Sequence, residues 1–211
     1  MPAAAHVYIV DDDDAIRQSL AAVLAAHPYA VSSFASAEEF LASAPSLAAG
    51  VLIADLRMPG MTGLDLLHRL NEQALPFETI VVTGYGDIPL AVRAMKEGAV
   101  DFIEKPYAIE AVLSSIEAGL ARLAEPRASD PHGGAGAAEA TARLAVLTGR
   151  ECQVLEGLVA GLPNKSIAYD LAISTRTVEV HRGHIMRKLQ AKSLSELIRL
   201  ALAAGLPSQS R

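Results

Sequence analysis

The sequence predicts an α/β chain in two parts: a doubly wound five-stranded parallel sheet followed by a small all-α domain of four helices. Three observations carry that expectation. Five short β-branched runs alternate with helix-like stretches up to about residue 124. A stretch rich in Pro and Gly then interrupts every periodicity. Beyond it, apolar residues recur only at helical spacing and cap signatures precede each run. Charge divides the same way: residues 1–140 hold eight basic against nineteen acidic side chains, a balance of −11, and residues 141–211 hold ten against five, a balance of +5. An acidic half and a basic half point to different partners, and a small basic module is what a polyanion attracts.

The candidate strands are 7–10, 30–34, 51–55, 79–83 and 100–103, with helical stretches beginning near Asp14, Ala37, Gly63, Asp87 and Ile109. Repeated βα units imply parallel strands covered on both faces. Residues 1–124 are therefore assigned to the sheet domain, 125–143 to a linker and 144–211 to the helical domain. In the last of these, Thr148 with Glu151 forms a capping-box signature for a helix that Gly161 stops. Asn164, Ser174 and Ser193 can cap three more, the last ending near Gly205.

The 211 residues, 51% of them hydrophobic, suffice for two small cores. Cys152 is the only cysteine, which excludes an intramolecular disulfide and a cysteine zinc cage. The first residues carry no Lys or Arg ahead of an apolar stretch, and no apolar run approaches the roughly 20 residues of a membrane span. A soluble, cytoplasmic protein that does not engage a membrane is expected.

In a sheet of this kind, ligands sit outside the carboxyl ends of the strands. There the sequence places Asp11 and Asp12 after the first run, Asp55 at the end of the third, Thr83 at the end of the fourth and Lys105 after the fifth. Singly, each has an ordinary reading: a solvated charge run, a strand-end threonine, a surface lysine. Together they converge, and three carboxylates within a few ångströms require a proton or a cation among them. A hard divalent ion with oxygen ligands suits such a set, and Mg²⁺ favours one or two carboxylates plus waters and a phosphate oxygen. Asp55 is then expected as the nucleophile toward a phosphoryl group, with Thr83 donating a hydrogen bond and Lys105 supplying a charge.

The segments Ile9-Val10-Asp11-Asp12-Asp13, Asp55-Leu56-Arg57-Met58-Pro59-Gly60-Met61-Thr62-Gly63, Val82-Thr83-Gly84-Tyr85-Gly86-Asp87 and Asp101-Phe102-Ile103-Glu104-Lys105-Pro106 resemble receiver domains of two-component response regulators. The resemblance spans residues 6–122 and implies a flavodoxin-like fold. It implies that a sensor histidine kinase supplies the phosphoryl group to Asp55. It also implies a Mg²⁺ site from Asp12, Asp55, the backbone carbonyl of Arg57 and, through water, Asp11, and a cis peptide before Pro106. Thr83 and Phe102 occupy the family's switch positions. Phenylalanine has no hydroxyl, so this switch is expected to work by packing alone.

The helical part reads bottom-up as a helix-turn-helix: a short helix 164–171 and a longer one 175–189, joined by a tight turn at Ala172 and Ile173 that presents the second helix to a major groove. Ile167, Ala168, Leu171, Ile173, Val178 and Ile185 have the spacing of a packing face. The run from Leu147 through Leu189 resembles LuxR-type domains, and the two parts together resemble the NarL/FixJ group, FixJ-like members above all. Thr175 points outward at the start of the second helix; by that resemblance the base-edge positions are Glu179, Val180 and Gly183, while Lys165, Arg176, Thr177, Arg182 and Lys188 lie nearer the backbone. Some family members carry lysines at the first and last base-edge positions; Glu179 and Gly183 here depart from them, which leaves the target sequence open. Glutamate can accept from cytosine N4 and valine can touch a thymine methyl.

The resemblance implies homodimerisation on phosphorylation, binding to double-stranded promoter DNA, and RNA polymerase as a further partner, with activation as the default sign. No enzymatic turnover is expected. The rival is a Mg²⁺-dependent phosphatase of haloacid-dehalogenase-like chemistry, which places a second Asp two residues after the nucleophile; here that position is Arg57.

Overall fold

The computed structural model describes residues 4–84, 88–124, 135–191 and 193–206. Five strands, β1 (Ala5–Val10), β2 (Tyr29–Phe34), β3 (Gly50–Asp55), β4 (Phe77–Thr83) and β5 (Asp101–Glu104), alternate with α1 (Asp14–Leu24), α2 (Ala37–Ser43), α3 (Gly63–Glu72), α4 (Ile88–Lys96) and α5 (Ile109–Ala124). All pairings are parallel and the strand order is β2-β1-β3-β4-β5. The expected doubly wound sheet is present, and every expected strand is there within two residues at its ends.

Side chains alternate across a strand, so one apolar run fills two cores. Val7 and Ile9 of β1 join Val51 and Ile53 of β3 in a core closed by Leu20 and Leu24 of α1 and Val112 and Ile116 of α5. Their neighbours Tyr8, Val10, Leu52 and Ala54 face the other way, against Phe40 of α2 and Leu66 and Leu70 of α3. Tyr8 lies edge-on to Phe77, with ring centroids 5.5 Å apart, and its hydroxyl donates to the Ala48 carbonyl at 2.9 Å, which satisfies the one polar group it buries.

The C-terminal part comprises α6 (Ala135–Leu144), α7 (Gly149–Val159), α8 (Asn164–Asp170), α9 (Thr175–Lys188) and α10 (Leu194–Ala203). By backbone contacts the described residues form two compact units: the sheet with α1, α2, α3 and α5, and the C-terminal helices grouped with α4. Val154, Leu155 and Leu158 of α7 meet Ile167 of α8, Val178 and Ile185 of α9, and Leu197 and Ala201 of α10 in one core. The packing-face residues of the helix-turn-helix are all in it or against it.

Two expectations are corrected. Residues 135–143, assigned to the linker, are helical: the segment is rich in Ala, the best helix former, and Ala140 is buried against the domain. The rest of that linker, 125–134, and the motif residues Tyr85, Gly86 and Asp87 with the expected helix start lie outside the described residues. Asn164 does not cap α8; Pro163 stands at that position and Asn164 is the first helical residue. Thr148, Ser174 and Ser193 do cap their helices, Thr148 with Glu151 in a full capping box. The turn between α8 and α9 is closed by Ala172 at φ 51° and by the Ile173 amide donating to Ala168 at 2.9 Å.

Candidate functional site

β1 and β3 are neighbours in the sheet although β2 intervenes in sequence, so the chain leaves them in opposite directions and opens a crevice at their carboxyl ends. Asp11 follows β1 and Asp55 ends β3, both almost fully buried. Thr83 ends β4, buried, and Lys105 follows β5 across a cis peptide to Pro106. Lys105 Nζ donates to Asp55 Oδ1 at 2.5 Å and to Asp11 Oδ2 at 2.9 Å, so the ammonium bridges the two carboxylates. Asp55 Oδ2 accepts from the Arg57 amide at 2.8 Å, which leaves each Asp55 oxygen facing a donor.

Burial pushes the Asp55 carboxyl above the ordinary aspartate range, against the pull of Lys105. Burial alone would lower the Lys105 ammonium, but its bonds to Asp55 and Asp11 outweigh that and raise it, so the lysine stays charged. Lys105 thus supplies one positive charge to the crowded carboxylates.

The acidic run divides its labour. Asp11 turns inward, and its Oδ1 accepts from the Asp13 amide at 2.9 Å. Asp13 caps α1, accepting from the amides of Ala15 and Ile16. Asp14 pairs with Arg17, whose guanidinium also donates to the Asp11 carbonyl at 2.6 Å. Asp12 is exposed. Asp11 is buried and Asp12 exposed, because successive residues beyond a strand end point in different directions. Among the described residues, no group of three or more His, Cys, Asp or Glu side chains is set to hold a metal ion. The donors present nonetheless fit Mg²⁺: hard oxygens throughout, two buried carboxylates, Asp12 at the rim and the Arg57 carbonyl just beyond Asp55.

Phe102 is half-buried in β5, its amide donating to Asp101 Oδ1 at 2.8 Å, and Asp101 Oδ2 in turn accepts from the buried Ser115 hydroxyl of α5 at 2.7 Å. The two switch candidates lie on adjacent strands: Val81 is the register partner of Phe102, two residues before Thr83.

In the helical unit, Lys165, Thr175, Arg176, Glu179, Val180 and Gly183 are exposed, as a groove-facing surface requires. Three of the expected DNA contacts are engaged internally. Thr177 shares the α9 cap with Ser174, hydroxyl to hydroxyl at 2.8 Å. Arg182 donates to Asn164 Oδ1 at 3.1 Å, tying α9 to α8. Lys188 donates to Glu151 Oε2 at 2.7 Å, and Glu151 is buried. His184 and Arg187 are also exposed on α9. Sequence reasoning missed the structural bonds of Arg143 and Arg150, which donate to the carbonyls of Leu189 and Leu171; an arginine aimed at a helix end leaves no pattern in a sequence.

No helix among the described residues is long and apolar enough to cross a membrane. Residues 7–117 match the family "Response regulator receiver domain" and residues 145–201 match "Bacterial regulatory proteins, luxR family". The transcriptional regulatory protein FixJ of Rhizobium meliloti (strain 1021) is 51% identical over 201 residues, covering 94% of this chain and 96% of its own length. FixJ of Bradyrhizobium diazoefficiens is 48% identical over 201 residues, with 95% and 96% covered. Among solved structures, full-length FixJ from B. japonicum superposes with a TM-score of 0.56 at 47% identity, covering 96% of this chain and 98% of that one.

Proposed function

The chain belongs to the two-component response regulators of the NarL/FixJ group, with a receiver domain and a LuxR-type DNA-binding domain, and from that premise we propose that Asp55 is its phosphoryl acceptor. The observation that carries the reading is the Lys105 bridge between Asp55 and Asp11, a half-buried ammonium between two buried carboxylates at the ends of strands. In the transfer, a bond forms from an Asp55 carboxylate oxygen to phosphorus as the bond from phosphorus to an imidazole nitrogen of the kinase phosphohistidine breaks. Lys105 then offsets charge on the phosphoryl oxygens and Thr83 donates to one of them. Mg²⁺, held by Asp11, Asp12, Asp55 and the Arg57 carbonyl, supplies further charge neutralisation when bound.

The output follows from differential contacts: a phosphoryl group alters DNA affinity only if it favours a receiver state with different partners. Rearrangement of Thr83 and Phe102 remodels the surface around β5, and two receivers pair there, bringing two DNA-binding domains over a two-fold promoter site for RNA polymerase to read. The exposed Arg176 and Lys165 supply phosphate contacts, and Glu179, Val180 and Gly183 face base edges. Regulation of transcription, not substrate turnover, is the outcome: Arg57 stands where a phosphatase of related chemistry needs an acid.

Intact-protein mass after incubation with Mg²⁺ and acetyl phosphate tests the reading. A single phosphoryl adduct, lost in Asp55→Asn, is expected; an adduct that survives in Asp55→Asn would place the acceptor elsewhere. Sedimentation with beryllofluoride tests the second step, and a chain that stays monomeric removes dimer control.

A further inference from the structure

The segment 56–62 connects Asp55 to Thr62, the cap of α3. It is irregular backbone, yet it has to hold the Arg57 amide against Asp55 Oδ2. Part of its anchorage is apolar: Met58 is buried in the core shared with Ala37 and Phe40 of α2, and Met61 packs against the same core. Leu56 is tied by its amide to the Val82 carbonyl at 2.7 Å, and a carboxylate from α2 holds the far side of the loop. Glu38 Oε1, on the first turn of α2, accepts from the Met61 amide at 2.8 Å, across 23 residues of sequence.

Two further features show that loop and carboxylate are fitted to one another. Gly60, at φ +76°, passes so close that a Cβ there would stand 2.6 Å from Glu38 Oε1. The start of α2 is also capped without Glu38: the Ser36 hydroxyl accepts from the Glu39 amide at 3.1 Å, and Glu39 Oε2 accepts from the Ala35 amide at 2.8 Å. Glu38 faces the loop while its carboxylate also interacts with its own amide and the Ser36 hydroxyl at the start of α2. Its carboxyl lies below the ordinary glutamate range, held there by its own amide and by that of Met61.

We infer that Glu38 is a positioning residue for the phosphoryl-acceptor site: by tying Met61 to α2 it fixes segment 56–62 in the form that presents the Arg57 amide to Asp55 and the Arg57 carbonyl to Mg²⁺. The inference rests on the function proposed above for Asp55. An outer residue that orients a metal-binding backbone group acts on metal affinity, roughly 10–100-fold in metal sites generally.

The experiment uses the full chain as wild type, Glu38→Ala, Glu38→Asp and Glu38→Gln. It reads Mg²⁺ affinity by titration calorimetry, hydrogen exchange at the Met61 amide, and the acetyl phosphate rate at low and saturating Mg²⁺. Glu38→Ala is expected to speed Met61 exchange, to weaken Mg²⁺ by about tenfold, and to slow phosphorylation at low Mg²⁺ while leaving the rate at saturation close to wild type. Glu38→Asp keeps the charge and the helix start but withdraws the acceptor, so it should follow Glu38→Ala; it also serves if the alanine variant does not fold. Glu38→Gln keeps the Oε1 acceptor and should stay close to wild type. Faster Met61 exchange with unchanged Mg²⁺ affinity makes Glu38 a staple of the fold only and overturns the inference, as does unchanged Met61 exchange in both shortened variants. If the wild type takes up neither Mg²⁺ nor a phosphoryl group, the proposed function fails first and the inference falls with it.

Discussion

Lys188 Nζ stands 2.7 Å from Glu151 Oε2, joining the last turn of the recognition helix α9 to the first turn of α7 through a carboxylate that is only 3% exposed. The Lys188 bond, with the Thr148 amide, draws the Glu151 carboxyl from 4.5 to about 2. A carboxyl depressed on folding stabilises the folded state above its unfolded value, and that contribution disappears as pH falls through the folded value. Glu151→Gln should therefore cost about 1–3 kcal/mol at neutral pH. The gap to wild type should hold down to about pH 5 and close between 4.5 and about 2. Amide exchange in α7 is the measure, since a two-domain chain need not unfold in one step. A gap that persists undiminished at pH 3 would mean that the hydrogen bond to Thr148, not the charge, is what matters.

Thr79 offers the opposite case, a polar atom without a use. It lies in β4, 2% exposed, and its hydroxyl has no hydrogen-bond partner among the described residues. Thr79→Val replaces that hydroxyl with a methyl of similar size in a strand that favours β-branched residues, and should stabilise the sheet domain by about 1 kcal/mol. The urea midpoint of the sheet-domain transition reads it directly. A fall in the midpoint would show that the hydroxyl finds a partner in solution.

How far the site was legible follows from what kind of information each residue carries. Asp11, Asp55, Thr83 and Lys105 were readable because strand ends can be placed from apolar runs, and in a parallel sheet strand ends meet. That Asp12 turns out while Asp11 turns in was not readable, because it depends on backbone angles just past a strand. The recognition helix was readable from its caps and spacing, but the capture of Lys188 by Glu151 spans 37 residues and has no local signature. Helix α6 was hidden because Gly133 and Gly134 and the prolines before them dominate the local composition, while tertiary burial of Ala140 decides the outcome. Glu38 was passed over for the same reason as Arg143: one side chain reaching a distant backbone group leaves only an ordinary surface residue in the sequence.

Two glycines inside helices of the DNA-binding domain should respond in opposite ways to alanine. A Cβ at Gly157 in α7 would stand 2.8 Å from Ile167 Cγ1, and Ile167 is fixed in the core, so Gly157→Ala forces a shift costing roughly 1–3 kcal/mol. At Gly183 in α9 a Cβ meets nothing within 4 Å among the described residues outside its own helix, so alanine gains helix propensity and should stabilise by roughly 0.5–1 kcal/mol. Thermal melts of the two variants decide the contrast. Destabilisation by Gly183→Ala would be at odds with the open space at that position.

The same bond between Lys188 and Glu151 separates fold from DNA contact. Neutralising a phosphate releases counterions, so each true phosphate contact adds close to one unit to the slope of log affinity against log salt. Arg176 and Lys165 are exposed, and Arg176→Ala or Lys165→Ala should each reduce that slope by about 1 on a random-sequence duplex, where sequence readout plays no part. Lys188 is held by a buried carboxylate whose own charge has to be balanced, so an ammonium shared with DNA would leave Glu151 short of its partner. Lys188→Met should therefore lower the stability of the helical domain and leave the salt slope where it was, measured below the melting temperature of the variant. A slope reduced as far as in Arg176→Ala would return Lys188 to the DNA surface, and the loss of stability would then have to be explained by the weakened hold of α7 on α9 alone.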